Sequence, residues 1–302
     1  MKYEFVAECA PMHSVNVMCQ MMNVSRSGYY SFTKGRTCVR QKANERLLEE
    51  IRTVHAASRE TYGSPRVFQE LKAKGIKCGR HRVARLMAKS GIQAKIRRRF
   101  RTTSRRDPKA GYAPDKLQRH FVADRPHEVW MSDITYLWTE EGWLYLAVVL
   151  DLFSRTVVGW SSGARIDAEL VCRAVNVALV RYRPALEVIF HSDRGSQYTS
   201  ETIRTLLEDN PHAVLLPSHG SSCYDNAVAE SFFHTLKGEC TELERPLSRQ
   251  AKHEHLFDYI EIFYNRRRRH SSIGYLTPME KIQSYEIQET KKLNPLSEET
   301  GQ

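Results

Sequence analysis

The sequence predicts an α/β protein with a basic, helical front half and a back half built on a mixed five-stranded sheet. Charge divides the chain: residues 1–120 hold 27 Lys and Arg against 9 Asp and Glu, a net charge of +18, and the remainder carries −7. Hydrophobic periodicity divides it too, because apolar residues recur at helical spacing before residue 95 and alternate in strand fashion from residue 128. With 302 residues, 41% of them hydrophobic, the chain is long enough for two domains.

Short helices are predicted in the N-terminal region, residues 1–42. VNVMCQMM, at residues 15–22, has apolar residues at helical spacing, and a serine-capped turn at residues 23–28 begins a second short helix. The pair is either a small helix-turn-helix or a structural helical hairpin, and the residues leave both open.

Three further helices are predicted within residues 43–94. The first begins near Ala43, the second at Ser64-Pro65 with the serine as N-cap, and the third runs from about Arg80 to Gly91. The third helix leaves basic side chains on its outer surface, namely Arg80, Arg82, Arg85 and Lys89. This pattern is typical of a helix-turn-helix DNA reader, whose last helix enters the major groove. A solvated basic face on an ordinary helical bundle is the alternative.

A basic linker is predicted for residues 95–120. Its first part, KIRRRFRTTSRR at residues 95–106, has no pattern that would form a core, so we expect an extended segment that binds phosphates. The candidate DNA contacts in it are Lys95, Arg97, Arg98, Arg99 and Arg101. A chance basic linker is the alternative, which the neighbouring DNA reader disfavours.

The back half is predicted to alternate strands and helices. Three strands, at residues 128–138, 143–152 and 155–161, are linked by short turns and form an antiparallel meander. An amphipathic helix, a fourth strand, a helix, a short fifth strand and a further helix follow at residues 167–182, 187–191, 199–207, 213–216 and 225–238. Because the first crossover helix returns the chain to the sheet, strands one and four are expected to be central neighbours.

Three carboxylates stand out within these elements. Asp193 comes directly after an apolar run and before Gly195, where it is either a turn cap or a catalytic group on a rigid scaffold. Asp133 lies in the middle of the first strand, where an unpaired carboxylate is costly to bury. Glu230 lies on the last of these helices. Lys or Arg partners are not expected near the three, so a divalent cation would remove their mutual repulsion.

Composition excludes several classes of protein. The seven cysteines include no CxxC pair and no zinc-like Cys/His spacing, and they are expected to be reduced, cytosolic thiols. No secretory signal, membrane span or lipid anchor is recognisable, so we expect a cytoplasmic protein that binds no membrane. The basic front half then favours nucleic acid as its polyanionic partner.

Several long sequence stretches carry a resemblance to a known family. They are MCQMMNVSRSGYYSF, SRETYGSPRVFQEL, WMSDITYLWTEEGWLYLAVVLDLFSRTVVGW, HSDRGSQYTS, DNAVAESFFHTLKGE and YNRRRRHSSIGYLTPME, spread in order over most of residues 15–283. In these stretches the chain resembles OrfB-type DDE transposases of the insertion sequence three (IS-three) family. The resemblance implies a ribonuclease-H-like catalytic core of the retroviral integrase type, assigned to residues 121–285, and leaves residues 286–302 as a polar tail.

The resemblance also implies a chemistry and a set of partners. It implies that Asp133, Asp193 and Glu230 are a catalytic triad that holds two Mg²⁺ or Mn²⁺ ions. It also implies that the protein is found in the bacterial nucleoid when it is bound to DNA. The implied reaction is metal-dependent cleavage of double-stranded DNA at the ends of the element and strand transfer into a target, by a homo-oligomer. An upstream OrfA-type product is implied as a fusion or partner. A DNA-binding regulator or inactive remnant, and a nuclease that only hydrolyses, are the alternatives.

Further residues are candidates near this triad. Lys237 and His234 share the helix face of Glu230, where they either contact DNA phosphates or lie on a solvated edge. The dense basic run Arg266, Arg267, Arg268 and Arg269 favours a DNA contact. Asp151 is interpreted as structural, although it could join the site, and Asp225 as the N-cap of the last helix. The 36 residues between Asp193 and Glu230 are one more than is usual in the family, and the basic stretch that the family has near residues 217–220 is reduced.

Overall fold

The computed structural model describes residues 2–34, 39–95, 112–208, 210–211, 213–220, 223–240 and 245–293. The chain forms two compact units. The first comprises Met1–Ala57 and Gly63–Gln93, and the second comprises Ser58–Tyr62 and Ala94–Gln302. In the described residues no helix combines the length and the apolar character needed to cross a bilayer.

The first unit is helical. Its N-terminal part contains α1 (Lys2–Cys9), α2 (Val15–Met21) and α3 (Arg26–Thr33), which pack around the buried Val6, Met18, Cys19 and Tyr29. The serine cap predicted within residues 23–28 is confirmed at the start of α3, because the Ser25 side chain accepts a hydrogen bond from the Gly28 amide at 3.1 Å. Helix α1 was missed, since KYEFVAEC carries little helical periodicity.

The second part of this unit contains the three helices predicted for residues 43–94. They are α4 (Val39–Ala57), α5 (Ser64–Ala73) and α6 (Arg80–Lys89), and their apolar stripes are buried as expected. Gly91 follows α6 with φ +67°, which only glycine adopts without strain. The prediction of Ser64 as the N-cap is wrong: Gly63 takes that position without a side-chain bond, and Ser64 is the first helical residue.

The second unit is built on one five-stranded sheet. Its strands are β1 (Val129–Thr139), β2 (Gly142–Asp151), β3 (Val157–Gly163), β4 (Val188–Ser192) and β5 (Leu215–His219), in the order β3-β2-β1-β4-β5. The first three strands are antiparallel, whereas β4 runs parallel to β1 and to β5. The predicted mixed sheet and the pairing of its first and fourth strands are confirmed.

Helices cover both faces of this sheet. On one face lie α7 (Ala168–Tyr182) and α8 (Glu201–Glu208), packed on strand residues such as Val149 and Val158. Helix α7 approaches so closely that a Cβ on Gly159 would lie 2.1 Å from the Ala174 carbonyl oxygen. The glycine is therefore required by this contact.

The other face carries the C-terminal helices. Here α9 (Ala227–Glu239), α10 (Arg249–Phe257) and a π-helical segment (Asp258–Tyr264) enclose a core with Leu146 and Val148 of β2. Helix α11 (Pro278–Leu293) follows. This face matters for function because α9 brings Glu230 to the sheet.

Candidate active site

Asp133 lies in the part of β1 that is not paired with β4. The pairing of β1 with β4 covers only Val129, Trp130 and Met131, so the chain separates from β4 just before Asp133. Strand alternation places Asp133 on the face of Leu137, which packs with α9. The carboxylate accepts a hydrogen bond from the Ile134 amide at 2.8 Å.

Asp193 follows directly on the last residue of β4. Its Oδ1 atom accepts a hydrogen bond from the Gly195 amide at 3.0 Å, which closes a tight turn. A Cβ on Gly195 would lie only 3.0 Å from that same oxygen, so a side chain at this position would crowd the carboxylate. The turn thus presents Asp193 at the carboxyl end of a parallel strand, where ligands usually bind in open α/β sheets.

Glu230 lies in the first turn of α9, and two side chains fix the start of that helix. Asn226 donates from Nδ2 to the Ser132 carbonyl oxygen of β1 at 3.1 Å. The buried His191, two residues before Asp193, contacts the Asp225 carbonyl oxygen through Nε2 at 2.9 Å. The helix of Glu230 is therefore tied to the strands that carry the other two carboxylates. We missed both ties in the sequence, because a single His or Asn gives no periodic signal.

The three carboxylates are electrostatically coupled. Burial raises the pKa of Asp133 to about 8, and the charges of Asp193 and Glu230 contribute to this rise. Burial also raises the pKa of Asp193. The pKa of Glu230 is raised by burial and by the charge of Asp193. In the part of the chain that the structure describes, no three His, Cys, Asp or Glu side chains are close enough to hold a metal ion as they stand.

Lys237 brings a positive charge to this region. Its ammonium nitrogen lies 5.0 Å from the centre of the Tyr136 ring, a cation–π contact with β1. Burial lowers the pKa of Lys237 and the charge of Asp133 opposes that change. The expectation that no Lys or Arg lies near the three carboxylates is therefore wrong. His234 lies on α9 and is half-buried.

Two further carboxylates are held in other ways. The buried Asp151 accepts hydrogen bonds from the amides of His127 and Ser154, at 2.8 and 2.9 Å, within the turn after β2. Asp225 does not cap α9, contrary to the prediction. Its buried carboxylate pairs with Arg119 at 2.8 Å, and Asn226 occupies the N-cap position. Both carboxylates stabilise the local structure.

The segment before the core is packed more closely than a linker would be. Residues 112–120 were assigned to the basic linker, yet Leu117 is buried in a cluster with Val129 and Met131 of β1. The Lys116 amide donates to Ser218 Oγ of β5 at 2.9 Å. The packed core therefore extends N-terminal to residue 121.

The candidate DNA contacts of the front half differ in exposure. Arg80 and Arg85 are exposed on α6, whereas Arg82 is half-buried and donates to Asn44 at 2.8 Å. Lys95 is half-buried and its amide donates to the Glu60 carbonyl oxygen at 3.0 Å. The other candidates, Arg97, Arg98, Arg99 and Arg101, lie outside the described residues.

The arginine run after the π-helical segment does not act as one patch. Arg266 and Arg267 are exposed, and Arg269 is half-buried with a bond to the Tyr275 carbonyl oxygen at 2.9 Å. Arg268 is 2% exposed and makes two hydrogen bonds of 2.6 Å to the carboxylate of Glu239. The prediction that Arg268 contacts DNA is corrected, since this buried pair leaves no surface for a phosphate.

Family models match both the helical front half and the sheet-containing back half of the chain. Models described as "Integrase core domain" match residues 123–221 and 215–278, and one described as "HTH-like domain" matches residues 42–100. Among solved structures, the simian T-cell lymphotropic virus intasome in complex with PP2A regulatory subunit B56 gamma is similar with a TM-score of 0.45 and 13% identity, covering 76% of this chain and 73% of that one. The HTLV-2 integrase catalytic core domain in complex with magnesium is similar with a TM-score of 0.40 and 16% identity, covering 53% and 98%.

The integrase core and the helical HTH-like region define a polynucleotidyl transferase with a ribonuclease-H-like fold. Curated relatives then give the family. "Transposase InsF for insertion sequence IS3A" of Escherichia coli (strain K12) is 40% identical over 280 residues, 92% of this chain and 97% of the relative. The "Insertion element IS600 uncharacterized 31 kDa protein" of Shigella sonnei is 41% identical over 261 residues, covering 86% and 96%. The chain belongs to the IS-three family of transposases, and the predicted family, fold and function are confirmed.

Proposed function

We propose that this transposase cuts and joins DNA at a single site formed by Asp133, Asp193 and Glu230. The observation that carries the proposal is the electrostatic coupling of three carboxylates that come from β1, the end of β4 and the start of α9. Burial and the charge of Asp193 raise the pKa of both Asp133 and Glu230, which costs free energy of folding, and groups with such shifts cluster at active sites. Asn226, at the start of α9, bonds to Ser132 of β1, and His191 of β4 bonds to Asp225 just before α9. These bonds support the proposal because a shared active site requires the three elements to keep fixed relative positions.

We infer that the three carboxylates hold divalent cations, either Mg²⁺ or Mn²⁺. The donor set fits these hard cations because it consists of carboxylate oxygens alone. With a pKa of about 8, the Asp133 carboxyl group keeps a proton at neutral pH, and a cation would replace that proton. Two bound ions would activate the attacking oxygen and stabilise the leaving oxygen of a phosphoryl transfer. We propose that Lys237, whose charge interacts with that of Asp133, contacts a DNA phosphate beside them.

The proposed partner is double-stranded DNA, both the ends of an insertion sequence and a target. Exposed cations on both units support this, with Arg80 and Arg85 on α6 and Arg266 and Arg267 after the π-helical segment. The basic stretch at residues 95–106 adds charge between them in sequence. Assembly as a homo-oligomer on DNA, and cooperation with an upstream OrfA-type product, belong to the same proposal.

A joining assay tests this function. The chain is incubated with a labelled duplex that carries the terminal repeat of its element, with supercoiled plasmid, and with Mg²⁺ or a chelator. We expect labelled plasmid only when Mg²⁺ is present. Nicked plasmid without joined label would indicate a nuclease that only hydrolyses, and a shifted duplex without cleavage would indicate a DNA-binding regulator. Adding the upstream product to a parallel reaction shows whether the chain depends on it.

The salt dependence of DNA binding tests the proposed surface of α6. Each phosphate contact contributes roughly 0.9 to the slope of log affinity against log salt concentration. We therefore expect the double variant Arg80→Ala, Arg85→Ala to lower that slope by roughly 2. The double variant Arg40→Ala, Arg52→Ala removes two exposed charges from α4 and is the matched control. Equal slopes for both double variants would show that α6 does not face DNA.

A further inference from the structure

Arg194, the residue after Asp193, has no anionic partner among the residues that the structure describes. Its guanidinium carbon lies 4.6 Å from the centre of the Tyr112 ring. It makes no ion pair with any described residue, and its Nε atom is buried without a hydrogen-bond partner. Asp193 does not neutralise it, because the Asp193 carboxylate is turned to the Gly195 amide. A half-buried guanidinium in this condition has donors available for a ligand.

His219 supplies a second unused polar group beside Arg194. It is the last residue of β5, pairs in register with Ser192, and is 6% exposed. Its Nδ1 atom is buried and has no hydrogen-bond partner among the described residues. Its ring lies 6.4 Å from the Tyr112 ring, edge to face, so Tyr112 contacts both residues. Burial lowers the pKa of His219, and the charges of His191 and Arg194 lower it further.

The place of this cluster in the fold favours a ligand. Arg194 and His219 follow the carboxyl ends of the parallel strands β4 and β5, an edge where α/β sheets bind ligands. Tyr112 comes from the segment that the Lys116 amide fastens to Ser218 of β5. In sequence that segment continues directly from the basic stretch at residues 95–106.

We propose that Arg194 binds one backbone phosphate of the DNA strand at the active site, with Tyr112 holding the guanidinium in place and the buried His219 packed against Tyr112. Stacking on Tyr112 occupies the face of the guanidinium and leaves its in-plane donors for the phosphate oxygens. The proposal rests on the proposed function, since it places this phosphate next to Asp193.

Neutral backbone linkages in the DNA provide the test. A set of labelled duplexes, each with one methylphosphonate near the cleaved position, is cleaved by the wild-type protein and by Arg194→Gln. For the wild type, we expect one linkage at which neutralisation lowers the cleavage rate roughly 10- to 100-fold, as for a lost charge-assisted hydrogen bond. For Arg194→Gln, natural DNA should already be cleaved that slowly, and the same methylphosphonate should have no further effect.

Arg204→Gln is the matched control, because Arg204 is an exposed arginine on α8 that pairs with Glu201. It should keep the wild-type profile of linkages. If Arg194→Gln also keeps that profile, or if the wild type has no sensitive linkage, the phosphate site is wrong. Neither result depends on the triad, which Asp193→Asn tests separately. If Arg194→Gln does not unfold cooperatively on heating, and so is not folded, Tyr112→Leu is used in its place. The Tyr112→Leu protein should be less sensitive than the wild type to the same methylphosphonate. A profile identical to that of the wild type would overturn the proposal.

Discussion

Asp193→Asn should reduce strand joining by at least about 10³-fold and leave DNA affinity within about twofold of the wild type. Asparagine has the same shape, and its carbonyl oxygen can still accept the bond from the Gly195 amide that closes the turn. What it lacks is the negative charge that a divalent cation requires. The loss should therefore fall on the chemical step, while the arginines proposed to bind DNA keep their positions.

The comparison needs a carboxylate that serves the fold alone. Asp167 caps α7 by accepting a hydrogen bond from the Leu170 amide at 3.0 Å, and asparagine is an equally good N-cap. Asp167→Asn should join DNA at the wild-type rate. Joined product is measured in the presence of Mg²⁺, and DNA affinity is measured on the same preparations. Full joining activity in Asp193→Asn would remove Asp193 from the active site and, with it, the proposed triad.

The sequence was sufficient for the first four strands, because each contains an alternating or apolar run. The fifth was predicted at residues 213–216 but lies at Leu215–His219, where LLPSH has no such pattern. The alternation in β1 and the crossover through α7 were enough to predict that β1 and β4 are neighbours. Asp133 and Asp193 were recognisable for a related reason, since a carboxylate in or directly after an apolar strand departs from the local pattern. The signals for these strands and carboxylates come from residues that are close together in the sequence.

The errors arose where a side chain finds its partner far along the chain. Arg268 is one of four consecutive arginines, and nothing local distinguishes it from Arg266. Only the fold brings it to Glu239, 29 residues earlier. Asp225 looked like a helix cap because Arg119, its actual partner, lies 106 residues away. Charge runs therefore predict where a surface is basic, whereas burial decides which members of the run reach that surface.

Arg268→Ala should destabilise the catalytic core by about 3–5 kcal/mol, because it leaves the carboxylate of Glu239 buried without its cation. The side chains of Arg268 and Glu239 are 2% and 3% exposed, so water cannot replace the lost partner. For a unit of this size we expect the melting temperature to fall by roughly 10 °C. Arg266→Ala is the control: it removes an exposed charge two residues earlier and should weaken DNA binding with little change in melting temperature.

A double variant shows whether the buried pair itself is the cause. In the Arg268→Ala background the carboxylate of Glu239 is buried without its ion-pair partner. Adding Glu239→Gln should recover part of the lost stability, since a neutral amide costs less to bury than a carboxylate. Glu239 ends α9, the helix that carries Glu230, so the pair fastens this helix to the segment after Tyr264. Joining activity should therefore fall with the folded fraction in Arg268→Ala. If Arg268→Ala instead kept its melting temperature and lost DNA affinity, as expected for Arg266→Ala, then Arg268 would face DNA. The inference that the Arg268–Glu239 pair holds α9 in place would then be wrong.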